Sequence, residues 1–120
     1  MSLKGSLICI VLVLAIVTVY WPVQHHDFIS LDDDLYVTDN THVQQGMSLK
    51  GLKWALTTDH AGFWIPMTWI SIMIDCHLYG LNAGHHHVTN VIIHIFNTLL
   101  FRHTSFRVLP SAERRNLMLP

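Results

Sequence analysis

A mainly α fold is predicted for this 120-residue chain: a membrane helical hairpin of two apolar helices joined by an exported loop with short interfacial helices, itself a fragment of a larger polytopic helical domain. Three observations predict it. Residues 5–23 read GSLICIVLVLAIVTVYWPV without a charge, and a second apolar run covers 87–101. Apolar residues make up 51% of the chain and charged ones only 12%, more than an ordinary soluble domain needs to fill a core. Charge is also sorted, since every acidic residue except Glu113 lies between Asp27 and Asp75, while Arg102, Arg107, Arg114 and Arg115 make the end of the chain basic.

The elements follow in order. Residues 1–4 form a short cytoplasmic N-terminus ending on Lys4. As a helix, 5–23 spans roughly 28 Å, close to the ~30 Å hydrocarbon thickness of a bilayer. Tyr20 and Trp21 supply an aromatic belt at its far end and Pro22 a stop. A cleaved signal peptide is the rival assignment, but the small-x-small pattern that cleavage needs after the apolar run is missing. Residues 24–86 form the exported acidic loop, polar and broken by Asn40, Gly46 and Gly51, with a helical turn starting near Lys50–Thr57. Within it, Pro66 near the start and Gly80 near the end frame a helix over about 66–79, too interrupted by Asp75 and His77 to cross a membrane and suited to lying in the interface or packing on other helices. After the turn at 82–84, residues 87–101 form a partial second transmembrane helix of roughly 22 Å. Residues 102–120 are a basic tail, cytoplasmic by the positive-inside rule, which places the protein in the inner (plasma) membrane as a multi-pass protein with its acidic loop outside.

Two constellations carry chemistry. Asp32, Asp33 and Asp34 follow the anchor closely, with Tyr36 behind them, and are bracketed by Phe28, Ile29, Leu31, Leu35 and Val37. Clustered carboxylates serve as a general base on a hydroxyl, as ligands of a divalent cation, or as solvated loop charges. The second constellation is His87, Asn90, His94 and Asn97, which share an arc of about 80° on one helix. Such a polar stripe in an apolar helix faces protein or a water-filled cavity, and it demands more helices than this chain supplies. Interhelical hydrogen bonding without chemistry explains it equally well.

The remaining candidates are weaker. Consecutive histidines such as His85–His87 point in different directions on a helix, and Cys9 and Cys76 match no metal-ligand spacing, so the metal assignment stays unknown. Trp54, Trp64 and Trp69 are expected as interfacial anchors, with sugar stacking as the lesser alternative, and Asp75 as a hydrogen-bonded structural residue. No basic patch with interleaved aromatics supports nucleic-acid binding.

The stretches FISLDDDLYVTDNTHVQQG and FWIPMTWISIMIDCHLYGLNAGHHHVTNVIIHIFNTLL resemble the N-terminal part of bacterial membrane proteins that carry tetratricopeptide repeats. Those are similar in turn to the eukaryotic transmembrane O-mannosyltransferases. The resemblance covers about Leu7 to Leu100 and rests on the acidic pair, Asn40–Val43, the Trp-x-Pro-x-Thr segment at Trp64–Thr68, and the His-x-x-Asn-x-x-x-His helix at His87–His94. It implies a GT-C glycosyltransferase fold, a polyprenyl-phosphate sugar donor, a mannose-like sugar and an acceptor protein hydroxyl. It places the catalytic acids at Asp32 and Asp33, with Asp34, Tyr36, Trp64, His87, Asn90 and His94 binding substrate or supporting the site, and a divalent cation as a possible cofactor. Its partners are the membrane, the donor lipid, the acceptor, and the further helices and repeats of a longer parent. Phe63 and Ile65 stand where that pattern has polar residues, and after Leu100 the pattern continues with apolar spans and repeats where this chain turns basic. A truncated or out-of-frame end is therefore expected, with no activity of its own, because a hairpin cannot enclose a polyprenyl phosphate. Two other classes compete: a non-catalytic membrane scaffold binding partners through repeats, and a metal- or haem-binding membrane protein using the ten histidines.

Overall fold

The structure, a computed structural model, describes residues 3–108. It is helical, with no strand among the described residues. The elements are α1 (Leu3–Tyr20), a 3-10 turn (Trp21–His25), a π-helical turn (Asp34–Thr38), α2 (Thr41–Gln44), α3 (Leu49–Thr57), a 3-10 turn (His60–Gly62), α4 (Pro66–Tyr79) and α5 (Ala83–Val108). They divide into two compact units, one of 3–22 and 90–108, the other Val23–Thr89.

In the first unit α1 buries none of its residues, and Leu7, Ile10 and Leu14 are exposed on an element that is apolar all round. With the turn that follows it, Leu3–His25 is long and apolar enough to cross a membrane, and among the described residues it alone meets that test. Cys9 Sγ accepts a hydrogen bond from Arg102 Nη1 at 3.1 Å, and Tyr20 meets His94 edge to face at 5.7 Å. These contacts run in opposite order along the two helices.

The second unit holds the core. Val37, Val43, Ala55, Trp69, Met73 and Cys76 are buried together, and Phe28, Tyr36, Trp54, Ile65, Ile70 and Ile72 pack around them. Each large side chain taken out of water here is worth roughly 1.5–3 kcal/mol. Local chemistry sets the element ends. Asn40 caps α2, its Oδ1 accepting from His42 N at 3.1 Å, and Ser48 Oγ caps α3 by accepting from Gly51 N at 3.0 Å. Pro66 occupies the first turn of α4, where its missing N–H costs nothing, and Gly80 closes the helix. α4 packs on α2 and α3 with Trp69, Met73 and Cys76 in the core, while its buried Asp75 meets the start of α5.

The first helix runs Leu3–Tyr20 rather than 5–23, Gly51 sits buried inside α3 rather than breaking the loop, and both ends of the last helix differ from the expectation. The last helix starts at Ala83 rather than 87, because Asn82 caps it: Asn82 Oδ1 accepts from His85 N at 3.1 Å. It also continues past Phe101 to Val108, since no helix breaker occurs before Pro110. Its length does not make it a membrane span by composition, because three histidines open it and Arg102 and His103 follow its apolar middle. The remainder of the expected basic tail, 109–120, lies outside the described residues. Trp69 corrects a further expectation: it is wholly buried, so it is a core residue and no interfacial anchor.

Candidate functional site

The acidic segment is an ordered turn. Tyr36 N donates to Asp32 O at 2.9 Å, and Asp39 N reaches back five residues to Asp34 O at 2.8 Å, the wide spacing of a π turn. Gln44 Nε2 closes the end of this turn, donating to Val37 O at 2.9 Å and Thr38 O at 2.6 Å. The three carboxylates then have distinct surroundings. Asp33 Oδ2 accepts from Ile29 N at 2.8 Å, and Asp34 Oδ1 accepts from Thr38 Oγ1 at 3.3 Å. Asp32 is exposed.

Beneath the turn lies a cluster of rings that the sequence did not announce. Tyr36 stacks on Trp69 with ring centres 5.0 Å apart, Trp69 meets Trp54 at 5.3 Å and His60 at 5.5 Å, and Trp54 stacks on His42 at 4.6 Å. His60 Nε2 donates to Leu35 O at 3.2 Å, which ties the cluster to the acidic turn. Tyr36 is therefore fixed by stacking, and the acids ride on a backbone clamped from below.

A second buried group joins α4 to the start of α5. Asp75, 5% exposed, accepts from Thr89 Oγ1 at 2.8 Å, and His86, also 5% exposed, places Nδ1 4.0 Å from the other Asp75 oxygen. Gly80 O can only accept, so His86 Nε2, 2.9 Å away, carries the proton. Phe28 sits edge-on to the His86 ring at 5.3 Å. Burial, and then the Asp75 carboxylate, push the neighbouring Cys76 thiol up from its ordinary value of 9.0, so it is not an activated nucleophile. His86 was read only as one of three consecutive histidines; the signal that could have singled it out is its register with Thr89, three residues on along the same face.

The other expected site residues are dispersed. Trp64 is exposed, and its Nε1 donates to Leu56 O at 3.0 Å. His87 lies 6.2 Å from Phe28, ring centre to ring centre, with its Nε2 buried and unpartnered. Asn90 is exposed, and His94 meets Tyr20. Among the described residues no hydrogen bond or ion pair links Asp32, Asp33 or Asp34 to His87, and no set of three or more His, Cys, Asp or Glu side chains is placed to hold a metal ion. Two of the three carboxylates of the acidic turn accept hydrogen bonds from local donors. An open groove of about 530 Å³ runs between 24–28 and 81–84.

No family model, curated protein or solved structure matches the chain.

Proposed function

We propose that this chain is the membrane-anchored front of a GT-C-like glycosyltransferase that moves a sugar from a polyprenyl-phosphate donor to a protein hydroxyl. The observation that carries this reading is the acidic turn itself: an exposed carboxylate at Asp32 on a backbone clamped by Gln44 and by the Tyr36–Trp69 stack, a few residues beyond a helix able to cross a membrane. A lipid-linked substrate presents its reacting carbon near that surface. Asp32 accepts the proton of a Ser or Thr hydroxyl as its oxygen bonds to the anomeric carbon; the bond from that carbon to the phosphate oxygen breaks, and polyprenyl phosphate leaves with the electron pair. Asp33, held by Ile29 N–H, orients the turn and the acceptor. Asp34 and Tyr36 support the acceptor side. His87, Asn90 and His94 enter this proposal as supporting residues, with His87 beside Phe28 and His94 against Tyr20. The membrane hairpin, with a cytoplasmic N-terminus and an exported acidic loop, belongs to the same proposal, supported by the opposite-order contacts of α1 with α5.

One observation favours a second reading, a non-catalytic membrane scaffold: Asp33 and Asp34 already bond within their own segment, Asp33 to Ile29 N–H and Asp34 to the Thr38 hydroxyl. The experiment that separates the two is sugar transfer by a longer chain carrying this sequence at its front. Asp32→Asn keeps the shape and removes the proton acceptor, so transfer should fall about 10²–10⁴-fold with expression unchanged. Native rates in Asp32→Asn and Asp33→Asn would put the scaffold first.

A further inference from the structure

The second unit carries an apolar ridge that its own core does not use. Phe63, Trp64 and Met67 are 62%, 67% and 75% exposed where the chain enters α4, and Leu56, 50% exposed at the end of α3, is joined to them by the bond from Trp64 Nε1 to its carbonyl. From Ala61 to Ile74 there is no Asp, Glu, Lys or Arg. Isolated apolar side chains on a surface need no explanation, but adjacent large ones on a charge-free segment do.

We propose that this ridge, Leu56, Phe63, Trp64 and Met67, docks on the lipid bilayer and sinks into its headgroup boundary. Two features select lipid as the occupant. An indole in contact with hydrocarbon must not leave its N–H without a partner, and here a backbone carbonyl of the same unit already accepts it, so the ring leaves water without an unpaired donor. The chain also reaches the core of this unit at Phe28, only three residues after the helix able to cross a membrane ends at His25, so the ridge is tethered to a bilayer at high effective concentration. The inference rests on that anchor being inserted, and not on the glycosyltransferase reading.

The test uses the full chain in phosphatidylcholine/phosphatidylglycerol vesicles, with Cys9→Ser and Cys76→Ala as background and a nitroxide attached through Met67→Cys. A second label, at Gln45→Cys, is the control: Gly46 beside it lies against His77, about 15 Å along α4 from Met67. Flotation with the vesicles first establishes that the anchor is inserted. Oxygen, which concentrates in lipid, should then relax the Met67 label more than a water-soluble nickel chelate does, with the order reversed at Gln45. The water-like order at Met67 in floated chain overturns the proposal. So does low access to both agents, the mark of a ridge covered by protein.

Discussion

At the scale of single residues, the Thr89–Asp75–His86 arrangement matters because Asp75 and His86 are buried. A buried acceptor deprived of its donor costs the full desolvation of that group, whereas an exposed hydroxyl bonded to its own helix returns little when removed. The chain contains both cases on α5. Thr89 donates to buried Asp75, and Thr98 donates to the carbonyl of His94, one turn back. Thr89→Val should therefore destabilise the second unit by roughly 1–3 kcal/mol, while Thr98→Val stays near zero. Thermal unfolding in detergent followed by circular dichroism measures both. Equal melting temperatures for the two variants would mean that the Asp75 carboxylate is solvated rather than held. The same contrast explains why Asp75 was recognisable from sequence as a structural acid but its partners were not: burial brings together residues from α4 and α5, and nothing local to Asp75 announces Thr89 or His86.

At the scale of elements, the ends of α4 were legible in the sequence, because Pro66 and Gly80 act locally. Asn40 and Ser48 open α2 and α3 by contacts as local, but Asn40 was expected only as a break and Ser48 was not singled out, and the start of α5 at Ala83 lies four residues before the expected one. The ring cluster under the acidic turn was not legible, since Tyr36, His42, Trp54, His60 and Trp69 come from separate elements and meet only when the unit packs. For the same reason Trp69 could pass for an anchor until its complete burial was seen. The start of α5 offers a test in which two effects oppose each other. Gly84 lies in the first turn of that helix, where propensity alone says that alanine would stabilise by about 1 kcal/mol. A Cβ at Gly84 would instead collide with the backbone carbonyl of Gln24, which cannot swing aside as a side chain does. Forced backbone shifts typically cost about 1–3 kcal/mol, so the clash should win and Gly84→Ala should lower the melting temperature. A higher one would show that α5 does not begin against Gln24.

For the whole molecule, the question is how the chain lies in a membrane. α1 with its following turn can cross, and its only flanking charge on the N-terminal side is Lys4. At the other end of the chain Arg102, Arg107, Arg114 and Arg115 gather, while the acids lie between. Cationic residues near a span are retained on the cytoplasmic side, whereas acidic residues exert little pull, so both basic ends are expected inside and the acidic turn outside. The bond from Arg102 to Cys9 suits that proposed arrangement, because it places a guanidinium beside the N-terminal half of α1, the half that also carries Lys4. The prediction is tested on intact cells with a membrane-impermeant maleimide, in a Cys9→Ser, Cys76→Ala background. Gln45→Cys should be labelled from outside, and Ser111→Cys, which lies outside the described residues, only after the membrane is permeabilised. Labelling at both positions in intact cells would mean that α5 does not return across the bilayer and that α1 is the sole anchor. Labelling at position 111 alone would turn the molecule over and place the acidic turn in the cytoplasm, away from any exported acceptor.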